Sequence, residues 1–323
     1  MRKRVKQTTQ PKRFLVTGVS GQLGLELVRQ LGNAVLPRTR KVCDKLNLQQ
    51  FVDTFGSLKP TAVIHAACFD GINPNNTKQQ NRQQLWQSNV VTTDCIAKAC
   101  AMTGTPLLFI SCDQVFGGTG SFRDEPYKEA AAAVPSSHYG MTKIAAEHAI
   151  FRLVQCLPNK YWQAGFKYWI LRVPYLVDRI WEGSINLFVR SLLLSRRQSI
   201  YVPLPEDVTC SPMYVPRLAE ELIWLATEQS IPSGLYHLAS TGGISLYALG
   251  AAVAMTSVKR PAINVTPAIA STCVTAYGQV FKHLSNYSVL DTQKYAQLSK
   301  RNLPTLGDTV AAITNDLDRF QEQ

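Results

Sequence analysis

Short apolar runs separated by stretches of helical period organise the first half of the chain. Phe14-Leu15-Val16 is too short and too uniformly apolar for a surface helix and reads as a strand buried on both faces. TGVSGQLG follows, then LELVRQLG, a helical stretch ending at Gly32. Ala34-Val35-Leu36 predicts a short second strand, Gln49 to Leu58 a helix, and Thr61 to His65 a third strand. Residues 81 to 103 carry a long helical pattern, and Thr105 to Ile110 predicts a fourth strand. A helix starts near Tyr139, and Tyr168 to Val173 is another strand. Strands that alternate with helices imply a parallel sheet covered on both faces, because each parallel pairing needs a crossover connection. Beyond residue 180 the pattern loosens. Helices are expected near 185–196 and 215–228, a strand at YHLAS, and an Ala-rich helix over 245–255 after a glycine-rich turn. The fold class is α/β: a doubly wound parallel sheet over 14–180, with 213–240 returning to it, and a smaller C-terminal lobe over 181–323.

Composition changes this picture in three ways. With 46% hydrophobic and 17% charged residues among 323, the chain can bury a full core, which excludes global disorder. The net charge of +12 is uneven, because Arg2, Lys3, Arg4, Lys6, Lys12 and Arg13 crowd the first thirteen residues without an acid. No aromatic residue is interleaved with them, so residues 1–13 read as a solvated leader and not as a nucleic-acid-binding arm. The remaining positive balance suits an anionic small-molecule ligand. Eight cysteines form no CxxC pair and do not cluster with the five histidines, so no zinc site is expected. No signal-peptide core or membrane-spanning run is seen, and reduced thiols in the cytoplasm are the expectation.

Three stretches carry candidate chemistry. Gly18, Gly21 and Gly24 stand three apart between a strand and a helix, where glycines let the backbone turn tightly and approach a pyrophosphate at a helix N-terminus. That setting makes the sheet Rossmann-type and predicts dinucleotide binding over close packing alone. After the second strand come Arg38, Arg40 and Lys41, and a cation here suits the ribose 2′-phosphate of NADP where an acid suits NAD. A solvated loop accounts for the same cations equally well. Asp44 could contact the adenine or, with shifted spacing, Asn47. Tyr139 and Lys143 lie at i and i+4, on one face of a helix. An ammonium beside a phenol is expected to lower a pKa that is ordinarily ~10, which poises the tyrosine to give a proton to a carbonyl. Between these, FISCDQVFGG (109–118) takes a buried strand into a loop and places Cys112 at its end. No histidine motif supports a nucleophile there, and no partner has metal-ligand spacing.

Taken in order, these stretches resemble the extended short-chain dehydrogenase/reductases, and within them the dTDP-4-dehydrorhamnose reductase family. Gly18 to Gly24 matches that family's GxxGQLG, and Pro135 to Lys143 its PxxxYGxxK. HAACFDGINPNN (65–76) keeps the shape of NAAAYTxVDxAE but changes His65, Asp70, Asn73 and Asn76, while Ser111 to Gly118 matches STDYVFDG loosely. SVLDTQKYAQL (288–298) resembles the family's SxLDTxKL, so the likeness runs from about Phe14 to Leu317.

The resemblance implies NADPH or NADH in the first domain, NADP being favoured, and a nucleotide-linked 4-keto-6-deoxy sugar between the lobes. Hydride would pass to the sugar C4 while Tyr139 protonates the oxygen, with Lys143 as its pKa-lowering partner and ribose anchor. Gly18, Ser20, Gly21, Gln22 and Leu23 would cradle the phosphates, with Arg38 and Asp44 at the adenosine end. Ala66, Ala67 and Cys68 would pass beside the cofactor, with Ser111 at the next strand end. Cys112 falls where the family has the Ser or Thr of its catalytic triad, and a thiol is the weaker donor. Gln114, Gly117, Tyr175, the stretch Asp207 to Met213, and Leu284 to Ser288 also depart from the family, mostly on the sugar-nucleotide side. Two functions therefore compete. One is a reductase of an activated sugar; the other is a weak or inactive NADP-binding partner subunit, as in the β subunit of methionine adenosyltransferase. A homodimer is the assembly considered, with neither nucleic acid nor membrane as partner.

Overall fold

The computed structural model describes residues 12–36, 47–69, 78–118, 123–163, 165–178, 187–259, 261–270, 273 and 284–320. β1 (Phe14–Thr17), α1 (Gln22–Leu31), α2 (Leu48–Leu58) and β2 (Ala62–His65) come first. α3 (Lys78–Trp86) runs through a π turn at Gln87–Val91 into α4 (Thr92–Thr103), and β3 (Leu107–Cys112) ends in a 3-10 turn at Asp113–Val115. α5 (His138–Cys156), α6 (Asn159–Gln163), β4 (Tyr168–Val173) and β5 (Leu176–Val177) follow. Next are α7 (Leu187–Gln198), β6 (Tyr201–Pro205), β7 (Thr209–Cys210), β8 (Met213–Tyr214), α8 (Val215–Glu228) and β9 (Gly234–His237). β10 (Ile244–Ser245), α9 (Leu246–Thr256), β11 (Asn264–Ala268), β12 (Tyr287–Ser288), α10 (Gln293–Ser299) and α11 (Leu306–Arg319) complete the chain.

The central sheet has the order β1-β2-β3-β4-β9, parallel throughout. Its strands are almost wholly buried, and the two-residue period of a strand divides them between two layers. Phe14, Val16, Ala62, Ile64, Leu108, Ile110, Trp169 and Leu171 pack with α1 and α8 on one face. Leu15, Val63, Leu107, Phe109 and Ile170 pack with α2, α4 and α5 on the other. Each such fully buried large side chain contributes roughly 1.5–3 kcal/mol. Glu26 of α1 is buried yet satisfied, taking a two-pronged bond from Arg29 and one from Gln30, whose amide also reaches the Pro216 carbonyl at 2.9 Å. That ties α1 to the start of α8.

The expected strand at Ala34–Leu36 does not form. Gly32 ends α1 with φ 51°, a 3-10 turn occupies Gly32–Ala34, and only Val35 bridges Phe14. Too few residues remain in extended geometry to build a ladder. The bridge still matters, because it flanks β1 on one edge while β2 flanks it on the other. The connection changes side at β1, and such a switch point opens a crevice at the carboxyl ends of the strands. YHLAS is a strand only as far as His237, and the paired segment begins earlier, at Gly234.

A second core gathers α7, β6, α9, β11 and α11 around Phe188, Leu192, Leu204, Leu249 and Ile313. β6 and β11 pair in parallel over five residues. Arg196 fastens this lobe, donating to the Leu317 carbonyl and to Asp318 at 2.7 and 2.8 Å. The chain near β12 then returns to the segment that follows β3: Tyr127 donates its amide to the Val289 carbonyl, and Asp291 donates to the Tyr127 carbonyl, both at 2.8 Å.

Candidate active site

The turn after β1 is dictated by backbone contact. Gly18 sits at φ 74°, and a Cβ there would lie 2.6 Å from the Ala67 amide nitrogen. A Cβ on Gly24 would lie 2.0 Å from the Gly18 carbonyl oxygen. Both positions therefore demand glycine, the first for conformation and closeness, the second for closeness alone. Gly21 caps α1 with no side-chain acceptor, and no acid stands in the first turn. That leaves amide donors and the positive end of the helix dipole for an anion. Ser20 and Gly21 are exposed, Gln22 is half-buried, and Leu23 is buried in the core, so only the backbone of Leu23 is free to serve a ligand. Arg38 and Asp44 lie outside the described residues. Asn47 is committed elsewhere, capping α2 in a reciprocal pair with Gln50.

Behind the turn runs a buried polar chain whose members are remote in sequence. Thr17 Oγ1 accepts from the Ala67 amide at 3.1 Å and meets His65 Nδ1 at 2.7 Å. His65 Nε2 meets Thr93 Oγ1 at 2.9 Å, and that hydroxyl donates to the Asn89 carbonyl. These directions assign the tautomer: Thr93 has spent its proton on Asn89, so His65 carries hydrogen on Nε2 and accepts from Thr17 on Nδ1. Burial, aided by the Lys143 ammonium, lowers the His65 pKa to about 3 and keeps the ring neutral. Asn89, inside the π turn, accepts from the Phe69 amide at 2.7 Å, donates to the Phe69 carbonyl and donates to Thr142 Oγ1. Thr142 in turn donates to the Tyr139 carbonyl. One network thus holds the glycine turn, the 66–69 segment and the start of α5. Sequence reasoning missed Thr93, Asn89 and Thr142; the break of α-helical hydrogen bonding at 87–91 leaves no residue signature, although such bulges recur at functional sites.

α5 is pressed against the end of β3. Ser137 caps it by accepting from the Gly140 amide at 3.0 Å, and a Cβ on Gly140 would lie 2.1 Å from the Gln114 carbonyl oxygen. This approach brings Tyr139 to the strand ends, where its hydroxyl donates to Cys68 Sγ at 3.8 Å. Cys112 is buried, which pushes its thiol up to about 12 against the opposing pull of Lys143.

The expected lowering of the Tyr139 pKa is not found. Burial first, then the two thiols, push it well above 10, because each disfavours a phenolate. Lys143 does not offset this, since its ammonium donates to the Ile110 carbonyl at 2.6 Å and lies 4.4 Å from the Phe109 ring centre. Ser111, expected beside the cofactor, turns its hydroxyl to the opposite side of β3 and donates to Glu147. Glu147 takes a two-pronged bond from Arg172 at 3.0 and 2.7 Å, a fully buried ion pair, with the guanidinium 5.0 Å from the Phe116 ring centre.

The rim beyond β3 differs in kind. Asp113 is buried, and desolvation raises its carboxyl to about 6 although Ser288 donates to it at 2.7 Å. Gly117, at φ 91°, has its Cβ position filled by Ser285 Oγ, only 1.4 Å away. The aspartate of the family pattern therefore does not fit beside this serine. Among the described residues no group of three or more His, Cys, Asp or Glu could hold a metal, and no helix is long and apolar enough to cross a membrane.

A glycine-walled helix N-terminus at the switch point of a parallel sheet, with a tyrosine and a lysine one helical turn apart at the neighbouring strand ends, is the architecture of Rossmann-type dinucleotide-binding proteins. The chain belongs to the family of the RmlD substrate binding domain, whose model matches residues 12–319. It is 27% identical over 314 residues to dTDP-4-dehydrorhamnose reductase of Shigella flexneri, covering 94% of this chain and 97% of the relative. It is 28% identical over 244 residues to the spore coat polysaccharide biosynthesis protein SpsK of Bacillus subtilis, covering 75% and 78%. In fold it is similar to the dTDP-4-dehydrorhamnose reductase of Bacillus anthracis, solved in complex with NADP, at TM-score 0.75 and 23% identity, covering 95% of this chain and all of the other.

Proposed function

We propose that this chain is an NADPH-dependent reductase of a nucleotide-activated 4-keto-6-deoxy sugar. The observation that carries the reading is the placement of the Tyr139 hydroxyl at the ends of β2 and β3, on the same edge of the sheet as the Gly18 turn. NADPH, when bound, supplies the hydride. The tight Gly18 turn, pressed so closely on Ala66 and Ala67 that a Cβ would collide with their backbone, fits a pyrophosphate, and the uncapped N-terminus of α1 offers it amide donors. Ala66, Ala67 and Cys68 pass beside that cradle. Tyr139 delivers the proton to the carbonyl oxygen, and its high pKa keeps it protonated until that oxygen gains charge. Lys143 holds a positive charge under the strand ends and reaches a ribose hydroxyl by exchanging its bond to the Ile110 carbonyl. Cys112 stands where a hydroxyl donor is expected, and losing such a donor costs about 10²–10³ in turnover. The test is consumption of NADPH with dTDP-4-dehydrorhamnose, lost in Tyr139→Phe by at least about 10²-fold. A flat trace across 4-keto-6-deoxy nucleotide sugars, with NADPH bound, overturns it.

The thiols around Tyr139 favour a second reading, a cofactor-loaded partner subunit with little turnover. It requires NADP binding without carbonyl reduction and a protein that co-purifies with the chain.

A further inference from the structure

β2 ends on a histidine to which the chemistry proposed above gives no task. His65 is fully buried, in register with Thr17 of β1 on one side and Phe109 of β3 on the other. The Phe109 ring offers it no polar group, with ring centres 5.6 Å apart, and the side chains bonded to its two nitrogens are Thr17 and Thr93. The Lys143 ammonium also acts on the ring and disfavours the imidazolium.

Thr17 Oγ1 is the hinge of this arrangement. It gives its proton to Nδ1 at 2.7 Å and takes the Ala67 amide proton at 3.1 Å. The Ala66–Ala67 peptide is the wall against which Gly18 turns, since a Cβ on Gly18 would lie 2.6 Å from the Ala67 nitrogen and 2.8 Å from the Ala66 carbonyl carbon. A hydroxyl has one proton and two lone pairs, so fixing where the proton goes fixes where it accepts. The direction of the Ala67 amide, and with it the spacing of the turn from 66–67, is therefore set from Nδ1. On the far side Thr93 Oγ1 has its proton on the Asn89 carbonyl and accepts from the ring at 2.9 Å. That bond excludes the tautomer with hydrogen on Nδ1, which would leave the Thr17 proton without its acceptor.

We propose that His65 is a positioning residue for the cofactor, holding the glycine turn through Thr17 in the one tautomer that Thr93 allows. The identity of the cofactor rests on the reductase reading; the placement of the Ala67 amide does not. Asparagine carries an oxygen one bond beyond Cγ, as Nδ1 is, and no atom at the distance of Nε2. The Thr17 contact can thus be kept while the Thr93 contact is removed.

The test uses the full chain, with Ala67 amide hydrogen exchange read without cofactor and NADPH binding read by fluorescence. His65→Leu keeps a similar volume and removes both nitrogens. It should speed Ala67 exchange and weaken NADPH binding by about 3- to 10-fold each, the worth of one hydrogen bond. The loss should fall on the NADPH KM with kcat within about twofold of the parent. Thr17→Val should reproduce both changes, and the double variant should add little to either. His65→Asn should recover most of the loss. In ¹⁵N spectra the parent ring should carry hydrogen on Nε2 alone, and Thr93→Val should admit the Nδ1–H form. A parent ring with hydrogen on Nδ1, additive effects of His65→Leu and Thr17→Val, an asparagine variant no better than leucine, or Ala67 exchange unchanged in both single variants overturns the proposal. If Ala67 exchange responds as expected and the parent binds no NADPH, the reductase reading fails and the hold of His65 on the turn is upheld.

Discussion

The ends of β1 and of β3 lie in one sheet, yet they are built on different principles. At β1 the geometry is a matter of backbone against backbone, and a Cβ on Gly18 or Gly24 collides with main-chain atoms. The polar support behind it is fully paired, from Thr17 through His65 and Thr93 to Asn89. At β3 the geometry is a matter of side chains: a tyrosine hydroxyl on a thiol, a desolvated aspartate, and a serine in place of a Cβ. Backbone contacts tolerate almost no substitution, whereas side-chain constellations can be exchanged piece by piece while the fold survives. The glycine turn can therefore persist while the side chains at the β3 end change.

Breaking each end separately tests this contrast. The largest effect is expected from Tyr139→Phe, which removes the proton donor of the proposed reduction and should cost about 10²–10⁴ in turnover with NADPH affinity within a few-fold of the parent. Comparable affinity loss would mean that the two ends are not separable. Next is the ion pair beneath β3. Glu147→Ala leaves Arg172 buried without its partner and should cost about 3–5 kcal/mol in urea unfolding, whereas replacing both by apolar residues should cost much less. Gly18→Ala should cost roughly 1–3 kcal/mol from backbone strain and abolish saturable NADPH binding, read by unfolding and by cofactor fluorescence. Cys112→Thr restores a hydroxyl at the β3 end and should raise carbonyl reduction about 10-fold or more if the chain is a slow reductase. No change in turnover would favour the partner-subunit reading.

The smallest effects concern pH, where the two ends carry opposite signs. The Asp113 pKa is raised from 3.8 to about 6, so the folded chain holds a proton that the unfolded chain releases. Stability from this group is present below pH 4 and falls as pH rises through 6, by on the order of 3 kcal/mol at most. His65 is lowered to about 3, so its contribution is full above 6.5 and is lost as pH falls. Unfolding of Asp113→Asn beside the parent at pH 4.5 and 7.5 isolates the first effect. The variant should gain on the parent at the higher pH, and a constant difference refutes the assignment.

How far the chain could be read from its letters follows the same division. The main-sheet strands from Phe14 to Val173 were legible as apolar runs, because a parallel sheet covered on both faces needs no polar alternation. The glycine turn was legible because its constraint is local to eight residues. The Ala34–Leu36 run does not become the strand its residues suggest, since its fate depends on how Gly32 ends α1. Tyr139 and Lys143 were legible as a pair on one helix face, but the direction of each terminal group was not. Lys143 turns to a carbonyl 33 residues away, and Ser111 to a carboxylate 36 residues away.

By itself the sequence determined the alternation of strand and helix, the glycines that a close turn requires, and the helix that carries Tyr139. All of these depend on residues a few positions apart. Only the tertiary structure decided which groups surround the tyrosine hydroxyl and what proton affinity they impose. Desolvation and contact are properties of the packed chain, and they join Cys68 to Tyr139 across more than seventy residues.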